Sequence, residues 1–273
     1  MNDFLSKLAL LMREKNSIIC VGLDPAIPTQ RDASVIPKKY MNNNDENETR
    51  FNFCLDIIDT IADYAIAVKL NEQYMFGMSV RNHLSISNYL KKKDLISIYD
   101  CKLGDIADSA ESKLHWIHKS GYDGITTNPL PGNLEQVVHF AHRYTPPIGI
   151  IVVTLMSNPE ACKYFVESKY NSDSIYYEIA NDVEKYNADG CVVGATKHID
   201  SKEIEKIRRM IGNKRIILFP GIGAQKGDAV KAIKFGGNNI LINIGRKIIY
   251  SDKPKDSIEE YFNLFRELRK RYY

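Results

Sequence analysis

The sequence predicts an α/β protein, a closed (β/α)8 TIM barrel, and three observations carry that prediction. Eight short apolar runs recur at fairly even intervals along the 273 residues. The runs are near-continuous in Val, Ile and Leu, as parallel strands covered on both faces are. Helical patterns lie between them, so each strand is expected to pass to the next through a right-handed parallel crossover.

The chain opens with MNDFLSKLALLMREKN, in which acid and base are interleaved with apolar residues and no small-residue cleavage site follows. An amphipathic helix is expected there rather than a signal peptide. The first apolar run, SIICVGL, covers Ser17 to Leu23. After it comes the longest polar stretch, Pro28 to Arg50, whose tip NNNDENE has no periodicity. This reads as an insertion at about 28–50, a lid, a binding loop or a disordered segment.

The helical pattern NFCLDIIDTIADY then leads to a second strand, YAIAVKL (Tyr64 to Leu70), and LISIY (Leu95 to Tyr99) is the third. SAESKLHWIHKSG precedes GITT (Gly124 to Thr127), and NLEQVVHFAHRY precedes IGIIVVT (Ile148 to Thr154). SIYYEIANDVEKY leads to GCVVGA (Gly190 to Ala195), SKEIEKIRRMIG to RIILF (Arg215 to Phe219), and KGDAVKAIKFGG to NILINI (Asn239 to Ile244). Eight such units in a chain of this length favour a closed barrel over an open doubly wound sheet. The whole chain, residues 1–273, is expected to be one domain.

Composition narrows the function. Apolar residues make up 44% and charged residues 26%, which is ordinary for a globular protein and excludes a disordered or fibrous one. A net charge of +3 is too small for a nucleic-acid binder without a clustered stripe, and the basic run RELRKRYY reads as a solvated helix face. The five cysteines include no CxxC pair, and Cys20, Cys101 and Cys191 lie in or beside apolar runs. Free thiols in a reducing compartment are expected. No apolar run approaches membrane-spanning length, so a cytoplasmic protein with no nucleic-acid or membrane partner is the expectation.

Barrels carry their chemistry at the C-terminal ends of the strands. Those ends hold Asp24, Lys69 with Asn71, Asp100 with Lys102, Asn128, Thr154 with Ser157, Thr196, Pro220, and Gly245 with Arg246. In DCKLGDI the period of two would turn Asp100 and Lys102 to the inside of the mouth, with Lys69 of the preceding strand beside them. Asp105 lies beyond the strand and its direction is free. Such charges form either a structural ion-pair network or a catalytic array.

A second constellation joins FPGIGAQKGD to INIGRK. Glycine-rich turns at the ends of strands seven and eight let backbone N–H groups approach an anion, and barrels often hold phosphate there. Tight turns alone would also explain the glycines. The spacing matches neither the dinucleotide fingerprint nor a Walker loop. The pairs His115 with His118 and His139 with His142 lie on helices, whose outer faces are the wrong place for barrel chemistry, so no metal site is assigned.

Together VGLDP around Asp24, VKLN around Lys69, DCKLGDI, SNP at Ser157 to Pro159, PGIGAQ and NIGR give the chain a resemblance to the orotidine 5'-monophosphate decarboxylases over nearly the whole barrel. The resemblance implies conversion of orotidylate to UMP and CO2 in pyrimidine biosynthesis, a carboxy-lyase reaction that uses no cofactor and no metal. It implies a charged array of Lys69, Asp100, Lys102 and Asp105. It also implies a homodimer in which Asp105 and Ile106 reach into the neighbouring subunit's site.

By the same resemblance Asp24 and Asn71 would bind or orient ribose hydroxyls, Ser157 and Pro220 would hold the pyrimidine, and Gln225, Gly245 and Arg246 would grip the 5'-phosphate. Ser109 stands where many relatives have threonine and keeps the hydroxyl. The insertion at 28–50 has no dependable motif match. Lys102 is expected to face C6, where departure of CO2 leaves negative charge. The enzymatic rival is a Mg²⁺-dependent sugar-phosphate enzyme of the same superfamily, which carries an acid-rich first strand end; here that end, GLDP, offers only Asp24. A catalytically dead barrel serving as a scaffold is the rival from another class.

Overall fold

The eight apolar runs close on themselves. A computed structural model describes residues 3–41, 45–223 and 228–273, and in it the parallel strands form a closed barrel in the order β1-β10-β9-β8-β5-β4-β3-β2. The barrel strands are β1 (Ile19–Leu23), β2 (Ala67–Asn71), β3 (Ile96–Leu103), β4 (Gly124–Thr127), β5 (Gly149–Leu155), β8 (Gly190–Val193), β9 (Ile216–Phe219) and β10 (Ile240–Ile244). A two-stranded hairpin, β6 (Lys169–Tyr170) with β7 (Asp173–Ser174), follows β5 outside the barrel.

The helices are α1 (Asp3–Glu14), α2 (Glu46–Ile61), α3 (Glu72–Met75), α4 (Val80–Lys92), α5 (Ala107–Lys119), α6 (Leu134–His142), α7 (Ile175–Lys185), α8 (Ser201–Ile211), α9 (Ala229–Gly236), α10 (Arg246–Ile249) and α11 (Pro254–Tyr272). None of the described helices is long and apolar enough to cross a membrane. All five cysteines carry free thiols.

Two apolar layers hold the barrel. The outer one packs strand residues such as Val21, Val68, Ile125 and Val152 against helix residues such as Ile58, Ile86, Leu114 and Ile207. The inner one gathers Cys20, Ala67, Ile98, Ile151, Leu218 and Leu241 inside the barrel and continues into Phe4, Leu8 and Met12 of α1. The N-terminal helix is therefore a plug for the barrel's lower end. Its Phe4 ring sits where two strands begin in glycine: a Cβ at Gly149 would fall 2.4 Å from the ring and one at Gly124 2.8 Å. No side chain larger than hydrogen fits either position while Phe4 stays in place.

Two differences from the sequence reading bear on the site. The polar run at the end of the insertion is the start of α2: Asp45 caps it, its Oδ1 accepting from the backbone N–H of Asn47 at 2.7 Å and of Glu48 at 3.1 Å. Its acids are first-turn residues, where the helix dipole favours them. The described first half of the insertion is anchored by Arg31, whose guanidinium lies over the Tyr74 ring at 5.0 Å and the Tyr250 ring at 5.1 Å. The tip residues 42–44 lie outside the described residues.

The other difference is β3, which runs on to Leu103 and so includes Asp100 and Lys102 within the strand. It bulges in doing so. Tyr99 pairs with Ile125 and Leu103 with Thr127, so four steps of β3 match two of β4.

Candidate active site

At the bulge, Lys102 takes a left-handed backbone with φ 45°. A residue with a side chain avoids that conformation by about 1–2 kcal/mol, so the surrounding contacts must hold it. The bulge breaks the alternation on which the inward direction of Lys102 was expected. The ammonium nevertheless turns back, and Lys102 Nζ lies 2.8 Å from Asp100 Oδ1. The other carboxylate oxygen, Asp100 Oδ2, accepts from Lys69 Nζ at 2.6 Å. A third donor, the Thr126 hydroxyl, reaches Asp100 Oδ1 at 2.7 Å.

Burial sets the electrostatics. The side chains of Lys69 and Asp100 are 8% and 10% exposed, whereas that of Lys102 is 45% exposed. Burial alone would push the Asp100 carboxyl up, but Lys69 and Lys102 outweigh it and hold it well below the usual carboxylate range. Burial likewise opposes the charge on Lys69, and Asp100 with Asp24 overcomes it, leaving the lysine above its ordinary value. Lys69 and Asp100 are thus both charged throughout neutral pH.

Lys69, Asp100 and Lys102 line one side of a cavity of about 170 Å³ at the strands' C-terminal ends. Ser157 and Pro220 line the same cavity, and Val153, Val192 and Leu218 make much of the rest apolar. A larger groove of about 660 Å³ lies between α2 and residues 249–255. It touches none of the barrel's strand ends, so we place the chemistry in the smaller cavity.

The remaining predicted residues divide by position. Asp24 follows β1, and its Oδ1 is buried without a hydrogen-bond partner. Asn71 caps α3, its Oδ1 accepting from Gln73 N at 3.1 Å. Its amide nitrogen is therefore the end left to meet a ligand. Gly245 approaches β1 so closely that a Cβ would meet the Gly22 carbonyl oxygen at 3.0 Å, and Arg246 is exposed beside it. Gln225 lies outside the described residues.

Asp105, Ile106 and Ser109 are not brought to this cavity within the chain. Asp105 and Ser109 line an outer groove with Glu72 and Trp116. Asp105 Oδ1 accepts from the Ile106 N–H at 2.8 Å, its carbonyl accepts from Asn133 Nδ2 at 2.9 Å, and Ile106 is 68% exposed.

Several residues escaped the sequence reading. Thr126 looks like an ordinary β-branched strand residue, and only its place opposite the bulge reveals its contacts. Asn243 opens the NIGR motif; its amide packs 3.2 Å from where a Gly22 Cβ would be, and its Oδ1 is buried without a hydrogen-bond partner. A polar residue inside an apolar run was the available signal. His198 was also passed over. It lies beyond β8 with its ring 3.2 Å from Thr196 Oγ1, which puts a histidine at the rim.

Known proteins resemble this chain over most of its length. The orotidine 5'-phosphate decarboxylase of Cupriavidus necator is 30% identical over 266 residues, covering 93% of this chain and 91% of that protein. That of Bordetella petrii is 29% identical, covering 97% of each. Among solved structures, the orotidine 5'-monophosphate decarboxylase of Plasmodium berghei has the same fold, with a TM-score of 0.80 at 22% identity over 98% of this chain and 99% of that one. The UMP synthase of Leishmania donovani superposes with a TM-score of 0.78 at 24% identity, over 98% of this chain but 56% of that one. Residues 17–261 match the Orotidine 5'-phosphate decarboxylase / HUMPS family, and the chain belongs to that family.

Proposed function

We propose that this chain decarboxylates orotidine 5'-monophosphate to UMP and CO2, and that the Lys69–Asp100–Lys102 array is what performs it. The bond from C6 of the pyrimidine to its carboxylate breaks, and the electron pair stays on C6. Lys102 faces that carbon: its ammonium stabilises the developing charge and then gives C6 a proton. Solvent reprotonates the amine, since the side chain is 45% exposed.

Asp100 faces the departing carboxylate. Two like charges about 4 Å apart at an effective dielectric of about 20 repel by about 4 kcal/mol, and the repulsion ends as CO2 leaves. The apolar lining from Val153, Val192 and Leu218 keeps the effective dielectric low and suits a neutral product. Ser157 and Pro220, on the same cavity, hold the pyrimidine. Asp24 and Asn71 meet the ribose hydroxyls, and the unpartnered Asp24 Oδ1 supports this, being an acceptor in want of a donor.

Large enzymatic accelerations require on the order of 20 kcal/mol, more than a single repulsive pair provides. Binding of the remote phosphate by Gln225, Gly245 and Arg246 supplies part of the remainder. The observation that carries the reading is the Lys69–Asp100–Lys102 chain of contacts at 2.6 and 2.8 Å. Its test is purified chain with orotidylate and excess chelator, followed by ultraviolet absorbance and by UMP and CO2 formation. Turnover unaffected by the chelator is expected. No product, or turnover only with added Mg²⁺, refutes the reading.

The functional unit is a homodimer in which Asp105 and Ile106 complete the partner's site. Support comes from Asp105 lying away from its own chain's cavity, next in sequence to Ile106, which is 68% exposed. Mixing Lys102→Ala with Asp105→Ala chains tests it. If Asp105 acts across the interface, half of the mixed dimers' sites are intact, and random mixing restores about a quarter of wild-type activity. If Asp105 acts within its own chain, mixing restores none.

A further inference from the structure

We propose that Thr126 is a positioning residue for this decarboxylation, its hydroxyl fixing the Asp100 carboxylate and the Lys102 backbone in one geometry. The inference rests on the functional reading above and concerns a residue outside the charged array. The two extra residues of β3 deprive the Lys102 N–H of a place in the ladder with β4. Thr126 Oγ1 takes that N–H instead, at 3.0 Å.

An N–H can only donate, so the threonine oxygen must accept from it, and its own proton is free to go elsewhere. It goes to Asp100 Oδ1 at 2.7 Å. One hydroxyl thus ties the backbone of the proposed proton donor to the carboxylate that orients its ammonium. Thr126 is 1% exposed, so water does not compete for either bond. The next residue serves the same bulge from its other end: Thr127 Oγ1 donates to the Leu103 carbonyl at 2.7 Å, and Asn128 N does so at 2.8 Å.

The consequence is rotational. With Lys69 on Oδ2, and Lys102 and Thr126 both on Oδ1, the plane of the Asp100 carboxylate is set. Without Thr126 the bond to Oδ1 rests on Lys102 alone, a long side chain that is partly solvated. Asp100 could then turn away from an incoming substrate carboxylate, and Lys102 could follow it. Both changes misplace groups at the reacting carbon while leaving the contacts to ribose and phosphate untouched.

Thr126→Val removes the hydroxyl at nearly constant volume. We expect kcat to fall about 10- to 100-fold, the range over which misplaced catalytic groups act, with KM and the Kd for UMP within about threefold. Thr126→Ser restores the hydroxyl and is expected to return kcat to within about threefold of wild type. A Val variant with unchanged kcat overturns the proposal, as does a Ser variant as slow as Val, or a Val variant whose affinity for UMP falls in step with kcat. Should Val fail to fold, Thr126→Cys replaces the hydroxyl by a weak donor of similar size and carries the same expectations. Wild-type protein inert towards orotidylate would sink the functional reading instead; an unimpaired Val variant sinks this one alone.

Discussion

Lys69 Nζ and Asp100 Oδ2 lie 2.6 Å apart across the adjoining ends of β2 and β3, their side chains 8% and 10% exposed. Each is the main reason the other is charged. Register makes the contact inevitable, since Asn71 pairs with Asp100 and Lys69 with Ile98, bringing both side chains to one side of the sheet within a strand step.

Removing one partner from such a pair strands a buried charge. Asp100→Ala is expected to destabilise the protein by about 3–5 kcal/mol and abolish turnover. Replacing the pair by apolar residues, Lys69→Met with Asp100→Leu, should recover most of that stability and none of the activity. Urea unfolding of both variants measures this; a double variant no more stable than Asp100→Ala would deny the coupling.

Lys102 separates chemistry from stability. Its side chain is 45% exposed, so Lys102→Ala should abolish decarboxylation while leaving the fold intact. Its backbone, at φ 45°, suits glycine better than alanine. Lys102→Gly should therefore be as inactive as Lys102→Ala yet more stable by about 1 kcal/mol, read from denaturant midpoints at equal m. Equal midpoints would mean that the bulge carries no strain.

These contacts mark how far sequence reasoning reached. Strand positions were legible because covered parallel strands must be continuously apolar, and runs such as GITT and IGIIVVT coincide with β4 and β5 to within a residue at either end. Lys69 and Asp100 were legible because an apolar run that ends in charge has few uses for it. The bulge was not, since nothing in the one-dimensional pattern of DCKLGDI distinguishes a strand that continues from one that has ended. Thr126 was hidden for the same reason, its value arising only from the register with β3. The DENE run misled because capping acids and loop acids have one composition and differ only in whether a helix begins after them.

Arg246 tests how remote binding energy is used. It is exposed at the start of α10 and is not among the residues lining the cavity around Lys102. Arg246→Ala should nevertheless lower kcat/KM by about two orders of magnitude or more, because the transition state then forgoes the whole of a charged, bidentate guanidinium–phosphate interaction. Steady-state kinetics with orotidylate measure this. Near-normal kcat/KM would remove Arg246 from the phosphate site.

His83 makes stability depend on pH for a reason unconnected with catalysis. It is 8% exposed, its Nδ1 lies 2.7 Å from the Tyr122 hydroxyl, and its ring meets Tyr99 edge-on at 5.5 Å. Burial, helped by the charge of Lys113 and opposed by Glu72, pushes its pKa down to about 4. In the unfolded chain the ordinary value is about 6.5. Above that pH both states hold a neutral ring and His83 adds no slope. As pH falls from about 6.5 towards 4, the unfolded chain binds a proton that the folded one refuses, and stability declines, by up to about 3 kcal/mol once pH lies below both values. His83→Gln keeps a polar partner for Tyr122 but cannot titrate. Its unfolding free energy should start lower at pH 7.5 and fall less steeply between pH 6.5 and 4, the two curves converging at the acid end. Parallel curves from urea melts across that window would show that the buried ring takes up its proton without unfolding.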